Sequence, residues 1–293
     1  MVGFEGIDYL VGGKVAEYAT PLERMDMDRF TESPELRALL YLALYRIING
    51  GDHEVGLVVG LPVEVLQDPK QAAQVQRDMS RWLLGDHYFS VDGQPASASI
   101  KSVRLDIAQP LASWFDWGMD DKGAWVRGSN GLKAPTLIVD QGFNTLDVIS
   151  VEAGRISTRY TGGETLGMRR AAESVLDVIG RRYKINMSLH EADDLVQAVV
   201  NKGTAHLYVN GNPVDVSKEV KQALATLAGQ VVRFVERKVG NAARFNILLT
   251  GGGAIALGAA LLKQYPSATV LDDPVLANGR GLAKLAQREG VLS

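Results

Sequence analysis

Thr136-Leu137-Ile138-Val139-Asp140-Gln141-Gly142-Phe143-Asn144-Thr145-Leu146-Asp147-Val148 reads as an apolar strand running into a glycine turn and out along a second strand. One aspartate precedes the turn and another follows it. A strand that ends in Asp places a carboxylate at the carboxyl edge of a sheet, where ligands of open α/β sheets bind. Gly142 lets backbone N–H groups approach a phosphate closely, because no Cβ intervenes. Asn144 and Thr145 add side-chain donors. Asp140 suits Mg²⁺ held through water, since magnesium keeps much of its hydration shell. The same residues also make a plain hairpin with Asp and Asn as turn formers.

A second stretch, Asn246-Ile247-Leu248-Leu249-Thr250-Gly251-Gly252-Gly253-Ala254, is again an apolar strand ending in glycines, and it opens a helix. Three successive glycines cost backbone entropy. They suit a chain that must turn sharply and lie flat against a ligand, and the helix start offers N–H groups to an anion. The alternative is a tight strand-to-helix turn in a Rossmann-like layer. A dinucleotide fingerprint does not fit: G-x-G-x-x-G fails at Ala256, and Asp272-Asp273, where a ribose ligand would stand, run directly into Pro274.

Two further segments complete the set. Gln109, in Ile107-Ala108-Gln109-Pro110, sits at a strand end, where a glutamine either orients a water for attack on a terminal phosphate or simply ends a strand. Thr161-Gly162-Gly163-Glu164-Thr165-Leu166-Gly167 opens a helix after a strand meander. It either closes a ligand cleft at Gly163 or caps the helix through Glu164 and Thr165.

Composition bounds these readings. At 293 residues the chain can build two lobes, each with a core. A net charge of −3 lacks the basic footprint of a nucleic-acid binder. With no cysteine there is no disulfide framework or thiolate chemistry. The four histidines lack metal-ligand spacing. No apolar run approaches the ~18–20 residues that span a bilayer, and the first residues, Met1-Val2-Gly3-Phe4-Glu5-Gly6, show neither the basic n-region nor the apolar h-region expected of a signal peptide. A cytoplasmic protein with no membrane contact is expected.

Hydrophobic periodicity predicts a short strand pair in residues 1–20 (Tyr9–Val11 and Val15–Tyr18), a helix over 34–49, a strand over 54–61, a helix over 68–84 and a hairpin turning at Asp92-Gly93. An aromatic-rich helix follows Pro110, and the polar stretch 120–133 suits a crossing between lobes. Three strands come next, then helices over 166–182, 190–200 and 217–239 (with Ser217 as N-cap), a strand over 245–249, and helices over 255–264 and 276–289.

Taken in order, the strand Val58-Val59-Gly60-Leu61-Pro62, Ala108-Gln109-Pro110, the Asp140–Asp147 hairpin, Gly162–Gly167, Thr250–Ala254 and the tail Asp273-Pro274-Val275-Leu276-Ala277-Asn278-Gly279-Arg280-Gly281 resemble the prokaryotic actin-like ATPases of the ParM/StbA plasmid-segregation group and their archaeal relatives. The resemblance implies an α/β actin-like ATPase fold of ribonuclease H-like lobes around a nucleotide cleft. It implies domain I over 1–133 plus 276–293 and domain II over 134–275. It assigns catalysis to Gln109 and Asp140, with Asp140 as metal ligand. Nucleotide contacts fall to Gly142, Phe143, Asn144, Thr145, Gly163, Gly251, Gly252, Gly253 and Ala254. The cofactors are ATP or ADP with Mg²⁺. The implied partners are further copies of the chain in a head-to-tail filament and a DNA-binding adaptor, with no direct nucleic-acid contact. The family's first phosphate hairpin, Asp-x-Gly with a downstream Lys, has no match here. The expectation is therefore a first lobe that is incomplete and an ATPase only if that loop is restored. A non-hydrolysing structural filament or switch, for cell shape or organelle positioning, is the alternative.

Overall fold

The computed structural model describes residues 1–13, 15–19, 31, 33–48 and 52–290. The chain packs as two compact units, one of residues 1–107 with 286–293 and one of residues 108–285.

The first unit contains β1 (Val2–Phe4), β2 (Ile7–Tyr9), α1 (Val15–Tyr18), α2 (Pro34–Ile48), β3 (Asp52–Leu61), α3 (Val63–Gln67), α4 (Pro69–Leu83), β4 (Gly85–Val91) and β5 (Gln94–Ala108). Its sheet runs β2-β1-β4-β5-β3. Asp92 and Gly93 both take positive φ (49° and 78°), the geometry that a two-residue hairpin with right-handed strand twist requires. Asp68 caps α4 by accepting from Lys70 N at 2.9 Å and Gln71 N, with Pro69 in the first turn, where its missing N–H costs nothing. Ala38, Tyr41, Leu44 and Ile48 of α2 bury against Val2, Phe4, Phe89 and Ile100 of the sheet. The predicted N-terminal strand pair lies elsewhere: Val2–Phe4 pairs with Ile7–Tyr9 around Glu5-Gly6, and Val15–Tyr18 is helical. Four apolar-rich residues do not distinguish a strand from a helical turn.

The second unit continues with α5 (Gln109–Gly118), α6 (Gly128–Lys133), β6 (Thr136–Gln141), β7 (Leu146–Glu152), β8 (Arg155–Glu164), α7 (Arg169–Tyr183), α8 (Leu189–Lys202), β9 (His206–Val209), β10 (Asn212–Asp215), α9 (Ser217–Val239), β11 (Asn246–Thr250), α10 (Gly252–Gln264), β12 (Thr269–Val270) and α11 (Ala277–Glu289), whose residues from 286 onward count with the first unit. Its central sheet runs β12-β11-β6-β7-β8. The first three strands are parallel, and β7 and β8 return antiparallel. Leu137, Val139, Leu146, Val148, Ile247 and Leu249 share one face and pack on the core of α7, α8, α9 and α10. Alternate residues fall on the other face, which explains why β6 reads as a continuous apolar run: it is buried on both sides.

Two local expectations are corrected. α10 begins at Gly252, inside the glycine run, so two of the three glycines are helical. At α9 the terminal acceptor is Asp215, which takes the Ser217 N–H at 2.8 Å, while Ser217 is already the first helical residue.

Candidate functional site

Strand register brings the two glycine turns together. Thr250 pairs with Asp140, Asp140 with Asp147, and Asp147 with Gly163. Directly opposed residues on neighbouring strands project from the same face. Thr250, Asp140 and Asp147 therefore form one polar row across β11, β6 and β7, and Gly163 ends it without a side chain. The row lies at the carboxyl edge of the parallel strands, where α/β sheets take their ligands.

The hairpin at Gly142–Thr145 is tied down from one side. Gly142 N donates to Thr145 O at 2.9 Å. The carbonyls of Gly142, Phe143 and Asn144 accept from Met168 N, Arg169 N and Gly167 N at 3.0, 2.8 and 3.1 Å. This contact needs Gly167, whose Cβ would lie 2.1 Å from Phe143 O. With those carbonyls turned toward the start of α7, the N–H groups of Phe143 and Asn144 donate to no acceptor among the described residues. Successive peptide N–H groups left in this way make an anion-binding concavity. The Thr145 hydroxyl donates to Asp147 Oδ2 at 2.9 Å, and the Phe143 ring is 44% exposed.

The second turn presses on the first. A Cβ at Gly251 would come within 2.4 Å of Asp140 Oδ1 and 2.5 Å of Gln141 O, and Gly251 holds φ at +79°. A Cβ at Gly253 would strike the Gln141 side chain at 2.1 Å. Gly252 differs: its nearest neighbour is Val275 Cγ2 at 4.0 Å, so its open side faces outward. Ala254 turns its methyl into the core and its N–H to Gly251 O. Gln141, buried, donates from Nε2 to Leu166 O at 2.8 Å and so links the hairpin to the loop before α7.

Asp140 is held by a directed chain of hydrogen bonds. Asn278 Nδ2 donates to Asp140 Oδ2 at 2.7 Å, and Ser113 Oγ donates to Asn278 Oδ1 at 2.6 Å. Ser113 and Thr250 hydroxyls lie 2.8 Å apart, and Thr250 also reaches Pro274 O at 3.2 Å. Burial raises the Asp140 carboxyl above the usual range, and the bond from Asn278 partly offsets it. A cation placed at the row would reverse that shift by favouring the carboxylate.

α11 fixes the remaining wall. Asp116 on α5, its side chain 7% exposed, pairs with Arg280 Nη2 at 2.7 Å and Lys284 Nζ at 2.9 Å. The hydrogen bond to Asp116 raises the Arg280 pKa, burial opposes it, and the Asp116 charge adds to the rise. Arg280 also donates to the Asp273 carbonyl and to that of Asp272, pinning the segment beside Gly252. The helices touch backbone to backbone at Gly281, whose Cβ would lie 1.7 Å from Ala112 O.

Among the predicted residues, Asp140, Gly142–Thr145, Gly163 and Gly251–Ala254 gather along one sheet edge. Gln109 is the first residue of α5, one helical turn before Ser113 and on the same side of that helix. Asn278, Ser113, Asp116 and Arg280 were missed as chemistry. Asn278 and Arg280 stand inside the quoted tail, but nothing in a linear pattern couples them to Asp140 or Asp116. Two cavities of about 340 Å³ lie away from this edge, one lined by Ile185, Met187, Leu195 and Tyr208, the other by His53, Asp86, His87 and Lys101. Among the described residues, no cluster of three or more His, Cys, Asp or Glu could hold a metal.

Residues 1–111 match the family described as actin-like proteins, N-terminal domain. Residues 138–263 match the C-terminal part of the archaeal actin homologue MreB-like family. No curated protein sequence matches the chain. Among solved structures, an archaeal actin homologue, Ta0583, superposes with a TM-score of 0.74 at 14% identity, over 93% of this chain and 83% of its own. The apo pSK41 ParM protein gives 0.68 at 16%, over 96% and 80%. Bacillus thuringiensis ParM with ATP gives 0.67 at 15%, over 94% and 78%. At such identities the superpositions speak for the fold, and the two family matches between them span most of the chain. Fold and family matches agree: this chain belongs to the actin-like proteins.

Proposed function

We propose that this protein binds ATP or ADP with Mg²⁺ along the Asp140 edge and polymerises head to tail, with ATP hydrolysis coupled to assembly. The reading is carried by the shared register row Thr250–Asp140–Asp147–Gly163, which puts both glycine turns and two carboxylates on one edge. Two half-buried carboxylates, with no third acidic or histidine ligand among the described residues, suit Mg²⁺, which binds through one or two carboxylates and completes its shell with water and phosphate oxygens. When bound, the ion neutralises phosphate charge. The outward N–H groups of Phe143 and Asn144 receive the phosphates, with Thr145 beside them. Gly163 leaves room at the row's end. Gly252 presents bare backbone to the nucleoside, and Gly253 behind it lets the turn pack on Gln141. Gln109 orients the attacking water. Catalysis of this kind rests on positioning and charge stabilisation.

Nucleotide-bound relatives support the assignment. An archaeal actin homologue was solved in complex with ADP, and a ParM with ATP. Head-to-tail contacts that do not close produce filaments. In this reading the filament moves plasmid DNA through a DNA-binding adaptor, and the net charge of −3 agrees with having no direct nucleic-acid contact. Light scattering and phosphate release, followed with ATP, ADP and no nucleotide, test it. Scattering that rises only with ATP, with phosphate following, is expected. Flat, identical traces at high protein concentration would refute polymerisation. Assembly without phosphate release would leave a non-hydrolysing filament.

A further inference from the structure

Asn278 lies in the first turn of α11, yet its side chain serves no helix end. It reaches instead to the end of β6, where Nδ2 donates to Asp140 Oδ2 at 2.7 Å. Its orientation is set from behind. Oδ1 can only accept, and the Ser113 hydroxyl, 2.6 Å away, supplies the proton. Ser113 is fully buried and its one proton goes to Asn278 Oδ1, so the Thr250 hydroxyl, 2.8 Å from Ser113 Oγ and 3.2 Å from Pro274 O, shares its single proton between those two acceptors. A flipped amide would set its carbonyl against the Asp140 carboxylate and waste the Ser113 proton. The other oxygen of Asp140 lies over Gly251, 2.4 Å from where a Cβ would stand. Both carboxylate oxygens are thus located, one by a donor and one by a glycine.

We infer that Asn278 is the positioning residue of the site: oriented by Ser113, it aims the Asp140 carboxylate at the bound cation. This rests on the nucleotide reading above and deepens it. Partners that orient a metal-binding carboxylate are separable from residues that merely hold the fold, because they change metal dependence more than ligand-free stability.

The test uses the full chain and two readouts. In ligand-free protein, the Asn278 side-chain amide is assigned in a ¹H–¹⁵N spectrum by its loss in Asn278→Ala. It is expected to exchange slowly with water and to shift in both Asp140→Ala and Ser113→Ala. A fluorescent ATP analogue is then titrated with Mg²⁺ and with EDTA. In Asn278→Ala the ratio of the two affinities should fall about tenfold, while affinity in EDTA stays within about twofold of the parent. Asn278→Asp, which keeps the shape but cannot donate, should lose at least as much, and Ser113→Ala less. An amide that exchanges rapidly and ignores Asp140→Ala overturns the inference. So does an unchanged ratio in Asn278→Ala when the parent shows Mg²⁺ dependence. A parent that binds no nucleotide, or binds it equally in EDTA, sinks the nucleotide reading instead, and the amide spectrum alone then decides whether Asn278 holds Asp140.

Discussion

Asp140 and Asp147 stand directly opposite each other on adjacent antiparallel strands, on one face of the sheet. Like charges so placed repel. The protein spends hydrogen bonds on keeping both: Asn278 donates to the first and Thr145 to the second. This carboxylate pair is where the proposed function would place the cation.

Asp147→Asn should separate stability from binding. Removing the repulsion is expected to stabilise ligand-free protein by about 0.2–1 kcal/mol. The same change should weaken Mg²⁺-dependent nucleotide binding. Chemical denaturation without ligand and titration with MgATP read the two effects in opposite directions; a loss in both would mean that the pair is structural.

The three glycines should respond differently to a methyl group. Gly251→Ala meets Asp140 and the Gln141 backbone at a positive φ, and is expected to cost at least about 2 kcal/mol of stability. Gly252→Ala meets only Val275 at 4.0 Å, so the fold should be retained or gain up to ~1 kcal/mol from helix propensity. Its methyl projects where the nucleoside would lie, so nucleotide affinity should fall. Thermal melts paired with nucleotide titrations check both.

Gln109→Ala removes an amide from the first turn of α5 while leaving Ser113 and the Asp140 chain intact. Phosphate release should slow by at least about tenfold, in line with loss of a water-positioning group, with nucleotide affinity preserved. Equal slowing and loss of affinity would place Gln109 in binding rather than turnover.

Asp116→Ala leaves Arg280 and Lys284 without their shared carboxylate. A partly buried charge pair broken on one side is expected to destabilise by about 3 kcal/mol. Because Arg280 also holds the carbonyls of Asp272 and Asp273, faster amide exchange should appear at 272–276. Hydrogen exchange by mass spectrometry tests that coupling.

α8 offers a pH test remote from the site. Ser188 and Glu191 form a reciprocal capping box, and the Ser188 backbone N–H, followed by its hydroxyl, lowers the Glu191 pKa. A depressed folded-state pKa contributes stability that is present above the unfolded value and lost as pH falls through the folded one. Ser188→Ala should therefore cost about 1 kcal/mol near neutral pH. The gap to the parent should narrow as pH drops below about 4. Denaturation midpoints at pH 7 and pH 3 measure the difference.

Local patterns in the sequence carry far into this structure. Asp92-Gly93 marks a hairpin because both residues tolerate positive φ. Asp68-Pro69 marks the start of α4, and the apolar stripe of α9 marks a helix packed along one side. Short pieces were less legible: the β9–β10 pair and β12 span only four and two residues each. At that length periodicity carries no signal.

By itself the chain determined which residues could meet a phosphate, because an aspartate before a glycine turn and a glycine run after a strand are local facts of backbone and charge. It did not determine that β6 and β11 lie side by side, so that Gly251 presses on Asp140. Nor could it show that Asn278, 138 residues away, donates to that carboxylate. Such pairings depend on strand order and on the close helix approach at Gly281. Those are set by burial summed over the whole unit rather than by any stretch of neighbouring residues.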